Sequence, residues 1–250
     1  MSKTNYAAKV PDENGTIFYE SEDNAVWRDL VAQQMPNVQK YAAQPYLAGM
    51  AHMDFPTDRV PQCGEISQIL EPLTGWTVVP VPALIGFERF FDMLAHRQFP
   101  AASFIRNRQD FDYIKEPDIF HEIFGHTPLL CDPRFAAFSQ AIGAAGRRAS
   151  GKEYATLIRL YWFTIEFGLT IEDRKIKALG SGLASSPTEL PYSVNSESAQ
   201  RRAFDVIDIM RTPYRIDIHQ PVYFVLARII HQTPGISFRR TGSAGLTAAF

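Results

Sequence analysis

A mainly α fold with short β-strands (α+β) is predicted by two features of the sequence. Apolar residues recur at helical intervals through most of the 250 residues, while the runs with strand character are brief and scattered. A hydrophobic share of 46% against 21% charged residues is ordinary for a globular chain and provides the apolar side chains for a sizeable core.

Residues 1–20 are polar and turn-rich and read as a lead-in. In AVWRDLVAQQM, residues 25–35, Val26, Trp27, Leu30, Val31 and Met35 fall at helical spacing, and Pro36 is expected to stop the helix. EISQILEPLTG predicts a helix closed by its Gly, WTVVPV a short strand, and PALIGFERFFDMLAHR a helix with Pro82 in its first turn. PRFAAFSQAIGAAGRRA and KEYATLIRLYWFTIEFGL predict two further helices. LTIEDRKIKAL has the form of a hairpin, GSGLASSPTEL of a Gly/Ser-rich turn, VIDIM and YRIDI of strands, and PVYFVLARII of a last helix. SFRRTGSAGLTAAF is a weakly patterned tail. With no repeat, low-complexity block or interdomain linker, one domain is expected over 21–235, followed by the tail 236–250.

Composition narrows the function. The formal charge of −2, from 25 Lys+Arg and 27 Asp+Glu, offers no broad attraction to nucleic acid or an anionic membrane, so a small molecule is the expected partner. Cys63 and Cys131 are too few for a disulfide framework and fit a reducing cytoplasm. The N-terminus lacks a secretory signal, and no run of about 18 apolar residues predicts a membrane span.

DIFHEIFGHTPLL, residues 118–130, carries the chemistry. Its HEIFGH centre is one residue longer than the zinc-protease pattern H-E-x-x-H, whose histidines share a helical face. His121 and His126 are five apart, so on a regular α-helix they point roughly 140° from each other. Gly125 and Pro128 flank His126 and loosen regular helix there, and Asp118 stands where it can cap the helix start. Glu166 lies amid Trp162, Phe163, Ile165, Phe167 and Leu169, and a carboxylate in that setting needs a cation. Arg159 is one candidate and a metal is the other. A set of His121, His126 and Glu166 matches the two-His-one-carboxylate arrangement of non-heme Fe(II) oxygenases, with zinc in a hydrolase-type His2Glu site as the rival.

Five blocks in order, EPDIFHEIFGHTPLL, FAAFSQAIG, YWFTIEFGL, KALGSGLASSPTEL and HQPVYFV, resemble the catalytic domain of the tetrahydropterin-dependent aromatic amino acid hydroxylases. The resemblance runs from about Trp27 to about Arg228. It implies that family's mostly helical fold around a mononuclear non-heme iron cleft, with His121, His126 and Glu166 as the Fe(II) ligands. It also implies that Glu122 and Phe90 face the tetrahydropterin, Phe90 by stacking on the ring, and that Arg106, supported by Asp118, holds the substrate carboxylate. Trp162, Phe167, Gly182 and Ser185 would line the substrate pocket, with Ser185 hydrogen-bonded to a ligating His.

The activity implied is hydroxylation of L-phenylalanine to L-tyrosine with dioxygen and a tetrahydropterin such as tetrahydrobiopterin. Trp162 is the aromatic found in the phenylalanine and tyrosine enzymes, and Ile216 stands about where tyrosine hydroxylases carry an Asp, although Asp217 is its neighbour. Tyrosine or tryptophan hydroxylation is the alternative within the family, and a zinc hydrolase or an inactive ligand sensor lies outside it. The resemblance further implies a stand-alone catalytic domain of the bacterial kind, without regulatory or tetramerisation domains. A monomer or dimer, served by pterin-recycling enzymes, is the corresponding expectation.

Overall fold

Helices built on the apolar stripes of the sequence pack around one buried cluster, in a computed structural model that describes residues 6–226, 237–241 and 245–249. The mainly helical fold with short strands is the one expected. None of the described helices is long and apolar enough to cross a membrane.

Residues 6–20 are tied to the fold: Tyr6 stacks on Phe104 and donates its hydroxyl to Asp110, and Ile17 and Tyr19 are buried. Helix α1 (Ser21–Tyr41) starts at a reciprocal cap in which Glu20 and Asp23 each accept the other's backbone N–H. Pro36 does not stop it. Val31, Gln34 and Val38 form one buried stripe across the proline, which sits on the exposed face, and that packing offsets the single lost N–H. Helix α2 (Gln44–Met53) leads to α3 (Cys63–Thr74), which closes at Gly75 in the left-handed region, φ 74°, as its sequence predicts.

Strand β1 (Thr77–Val81) pairs in parallel with β2 (Gln98–Ala102), and α4 (Phe87–Ala95) crosses between them. The α4 start at Pro82 is corrected to Phe87, because Gly86 keeps an extended backbone and Ala83, Leu84 and Ile85 instead line the central cavity. After a helical stretch holding the two histidines come α5 (Thr127–Leu130), α6 (Pro133–Gly146), capped by Asp132, and α7 (Gly151–Tyr161).

The expected hairpin is present as β3 (Leu169–Glu172) and β4 (Lys175–Ala178). The Gly/Ser-rich turn is a buried helical turn, α8 (Ser181–Ala184), followed by α9 (Glu189–Asn195). Strand β5 (Gln200–Ala203) precedes α10 (Val206–Arg211), so VIDIM is helix and not strand: the Asp205 carboxylate accepts the N–H groups of Ile207 and Asp208 and starts a helix despite the β-branched residues. YRIDI forms no strand either, and its carbonyls bond to side chains of Tyr113 and Gln220. The first part of the expected last helix is strand β6 (Val222–Val225), seated between β3 and β5 in the order β4-β3-β6-β5; residues 227–230 lie outside the described residues. Of the expected tail, β7 (Ser237–Thr241) and β8 (Gly245–Ala249) pair antiparallel, and the rest lies outside the described residues.

Candidate metal centre

His121–His126 and Trp162–Glu166 are both π-helical turns, one leading into α5 and the other ending α7. In a π-turn the hydrogen bonds reach five residues back, so residues five apart stand one above the other. This resolves the odd spacing of the histidines. Both imidazoles project to the same side, with ring centroids 4.9 Å apart, and the second π-turn brings Glu166 to meet them. Glycines let these turns approach the neighbouring chain: a Cβ on Gly125 would stand 2.8 Å from the Ser181 carbonyl oxygen, and one on Gly180 2.1 Å from that of Glu166.

One ligand atom from each of His121, His126 and Glu166 lies within 4.8 Å of the others. The His126 and His121 Nε2 atoms are 3.1 Å apart, and the Glu166 oxygens lie 3.1 Å from His126 Nε2 and 3.7 Å from His121 Nε2. Arg159 is not the partner of Glu166, since it donates to the Met210 carbonyl. Ser185 Oγ lies 2.8 Å from His121 Nδ1 and also contacts the Ser181 and Gly182 carbonyls, to one of which its hydroxyl donates. The oxygen then accepts from Nδ1–H, which leaves the Nε2 lone pair of His121 facing the triad.

Electrostatics favour the ligand-competent forms. Burial pushes His121 down to about 4, opposed by Glu166, so the ring is neutral at neutral pH. Burial alone would raise the Glu166 carboxyl, but His126, His121 and the Gly182 N–H outweigh it and hold it below the usual range. Burial, with Glu166 and Asp118 nearby, pushes Glu122 well above the usual range.

The triad forms the floor of a cavity of about 860 Å³, in the range of small-molecule sites. The structure brings Phe90, Arg106, Glu122, Trp162, Phe167, Gly182 and Ser185 to its wall with His121, His126 and Glu166. Asp118 is the exception: it is fully buried behind Arg106 and does not reach the cavity. There its oxygens accept from Arg106 Nε at 2.8 Å, Nη2 at 2.9 Å and backbone N–H at 3.0 Å, and from the His121 N–H at 3.1 Å. Burial would raise Asp118, but Arg106 holds it below the usual carboxylate range.

Phe90 packs edge-on against Tyr161 at 5.2 Å, and Trp162 lies between Phe167 at 4.6 Å and Tyr214 at 4.4 Å. Ile216 and Asp217 are both on the wall; Ile216 is half exposed, and the Asp217 carboxylate is paired with Arg215. Sequence reasoning missed Tyr161, Phe99 and Tyr214. Tyr161 and Phe99 flank His126; Tyr161 stands next to Trp162 in the sequence, while nothing in the sequence singled out Phe99.

Comparison with known proteins agrees with this geometry. Residues 1–234 match the model of the biopterin-dependent aromatic amino acid hydroxylases. A phenylalanine-4-hydroxylase of Vibrio cholerae is 48% identical over 223 residues, 89% of this chain and 77% of that protein. The apo structure of the cold-active phenylalanine hydroxylase of Colwellia psychrerythraea superposes with a TM-score of 0.88 at 47% identity, over 90% of this chain and 86% of that one. The Chromobacterium violaceum phenylalanine hydroxylase with bound iron(III) and 7,8-dihydrobiopterin gives 0.84 at 38% identity, over 88% of this chain and 80% of that one. With a match that spans nearly the whole length and a two-His-one-Glu cluster at the base of its cavity, this chain belongs to the family of biopterin-dependent aromatic amino acid hydroxylases.

Proposed function

We propose that the chain is a phenylalanine 4-monooxygenase, converting L-phenylalanine to L-tyrosine with dioxygen and a tetrahydropterin at Fe(II) held by His121, His126 and Glu166. The observation that carries the metal assignment is the convergence of two imidazole Nε2 atoms and one carboxylate at the floor of an open cavity. Such a donor set covers one face of an octahedral ion and leaves the other open, which suits Fe(II) oxygen chemistry. When bound, Fe(II) and a reduced pterin would together supply dioxygen activation, one oxygen atom going to the substrate ring and the other to the pterin.

The chain's own groups hold the reactants in register. Of the five guanidinium N–H donors of Arg106, Asp118 and the Phe111 carbonyl engage three, leaving others for the substrate carboxylate at the cavity wall. Trp162, Phe167 and Tyr214 present a continuous aromatic surface for the substrate ring, and Gly182 keeps that surface close to Glu166. Phe90 offers its face to the pterin, and Glu122 its carboxyl group to the polar edge of that ring. Apolar Ile216 suits an unhydroxylated ring, because the adjacent Asp217 carboxylate is taken by Arg215. A monomer or dimer fits this reading, since all three donors come from one chain. The two free, buried cysteines fit a cytoplasmic setting, where pterin-recycling enzymes would restore the reduced cofactor.

The test is a competition assay on metal-stripped protein resupplied with Fe(II), tetrahydropterin and air, offering phenylalanine, tyrosine and tryptophan together and following products by mass. Tyrosine from labelled phenylalanine as the dominant product supports the reading. Hydroxylated tryptophan in excess would reassign the substrate.

A further inference from the structure

Segment Gly180–Pro187 threads between the two π-turns and supports both. It sets the Gly182 N–H beside the Glu166 carboxylate and the Ser185 oxygen where it accepts from His121 Nδ1–H, 2.8 Å away. There is little slack, because a Cβ on Gly182 would lie 2.9 Å from Glu166 Oε2. On its other side the segment rests on α1, which stands apart from the cavity. There the Gln34 carboxamide donates from Nε2 to the Ala184 carbonyl at 2.7 Å and the Ser186 carbonyl at 3.2 Å, the two that bracket Ser185. Asn37 Nδ2 donates to Gln34 Oε1 at 3.3 Å and to the Pro187 carbonyl at 3.4 Å.

Gln34 is 1% exposed, on the stripe where Val31 and Val38 are apolar, so α1's own packing does not call for a carboxamide there. Ala184 and Ser185 are also buried, which leaves little room for water to replace those bonds.

We propose that Gln34, braced by Asn37, is a positioning residue for the metal centre, fixing the backbone on either side of Ser185 and thereby the orientation of His121. This rests on the reading of His121, His126 and Glu166 as metal ligands. Replacing Gln34 by Leu keeps its bulk and removes both donors. The 184–186 backbone is then free to shift, and Ser185 loses its alignment on Nδ1.

The experiment uses the full chain stripped of metal and titrated with Co(II) against a competing chelator, with the cobalt ligand-field spectrum and thermal melts recorded in parallel. Q34L is expected to weaken Co(II) binding about 10-fold and to alter the spectrum, and S185A to do the same. Q34L/S185A is expected to bind no more weakly than S185A, because the effect of Gln34 passes through Ser185. N37A is expected to lose about threefold, the effect of weak hydrogen bonds, and replaces Q34L in the series if Q34L does not fold. Parental affinity and spectrum in Q34L, or in N37A where that variant stands in, overturn the proposal even if the melting temperature falls. Fully additive losses in the double variant overturn it too. Failure of the parent to bind Co(II) would overturn the metal reading itself, and this inference with it.

Discussion

Two arginine–aspartate pairs flank the cavity, one at its floor and one at its rim, and they share a chemistry but not a role. Arg106 and Asp118 have side chains 5% and 0% exposed, and Asp118 accepts four N–H groups, including that of His121. Arg215 and Asp217 are 63% and 56% exposed and bond to each other in open solvent. A buried pair held by several hydrogen bonds becomes part of the scaffold, because breaking it strands a charge. An exposed pair is screened and replaceable by water. The floor therefore holds the chemistry in place, while the rim is where changes in ring preference are structurally tolerated.

The largest effect expected is on the floor. Glu166→Ala removes the only carboxylate of the triad, and turnover should fall to background with bound iron lost, checked by product assay and metal analysis. Appreciable turnover with full iron content would break the distinction.

Asp118→Asn comes next. It leaves the buried Arg106 charge uncompensated, and urea unfolding should show a loss of about 3–5 kcal/mol. The pH profile separates charge from shape. Because the folded protein holds Asp118 below its ordinary value, its contribution is fully present above about pH 4. It is lost as pH falls through the lower folded value. The wild type should therefore lose stability more steeply below pH 4 than Asp118→Asn, and parallel curves would contradict the assignment.

At the rim, Ile216→Asp should lower kcat/KM for phenylalanine about 10-fold and narrow its preference over tyrosine, measured in competition, without changing the iron content. Arg215→Ala should be the mildest, leaving unfolding midpoint and phenylalanine turnover within about twofold of the parent. A loss as large as that of Asp118→Asn would erase the contrast between floor and rim.

How much was legible follows from which forces act locally. The triad was readable because a Glu amid Trp162, Phe163, Ile165 and Phe167 is chemically conspicuous, and two His in HEIFGH sit beside Gly125. Helix α6 and the β3–β4 hairpin were readable from caps and periodicity. The π-turns were not, because they depend on Gly125 lying against Ser181 and Gly180 against Glu166, contacts between distant segments. VIDIM misled because β-branched residues favour strands until the Asp205 cap is counted. VYFV misled because a fully buried strand lacks alternation. Gln34 drew no notice, since a glutamine in a helix ordinarily faces water and only the folded chain sets it against Ala184 and Ser186.

The most direct test of the account is phenylalanine-to-tyrosine turnover, with tetrahydropterin and air, measured as metal-free protein is loaded stepwise with Fe(II) or Zn(II). Turnover that rises in proportion to iron and levels off at one iron per chain, with the zinc form inactive, is the predicted result. Turnover independent of iron, or equal with zinc, would contradict it.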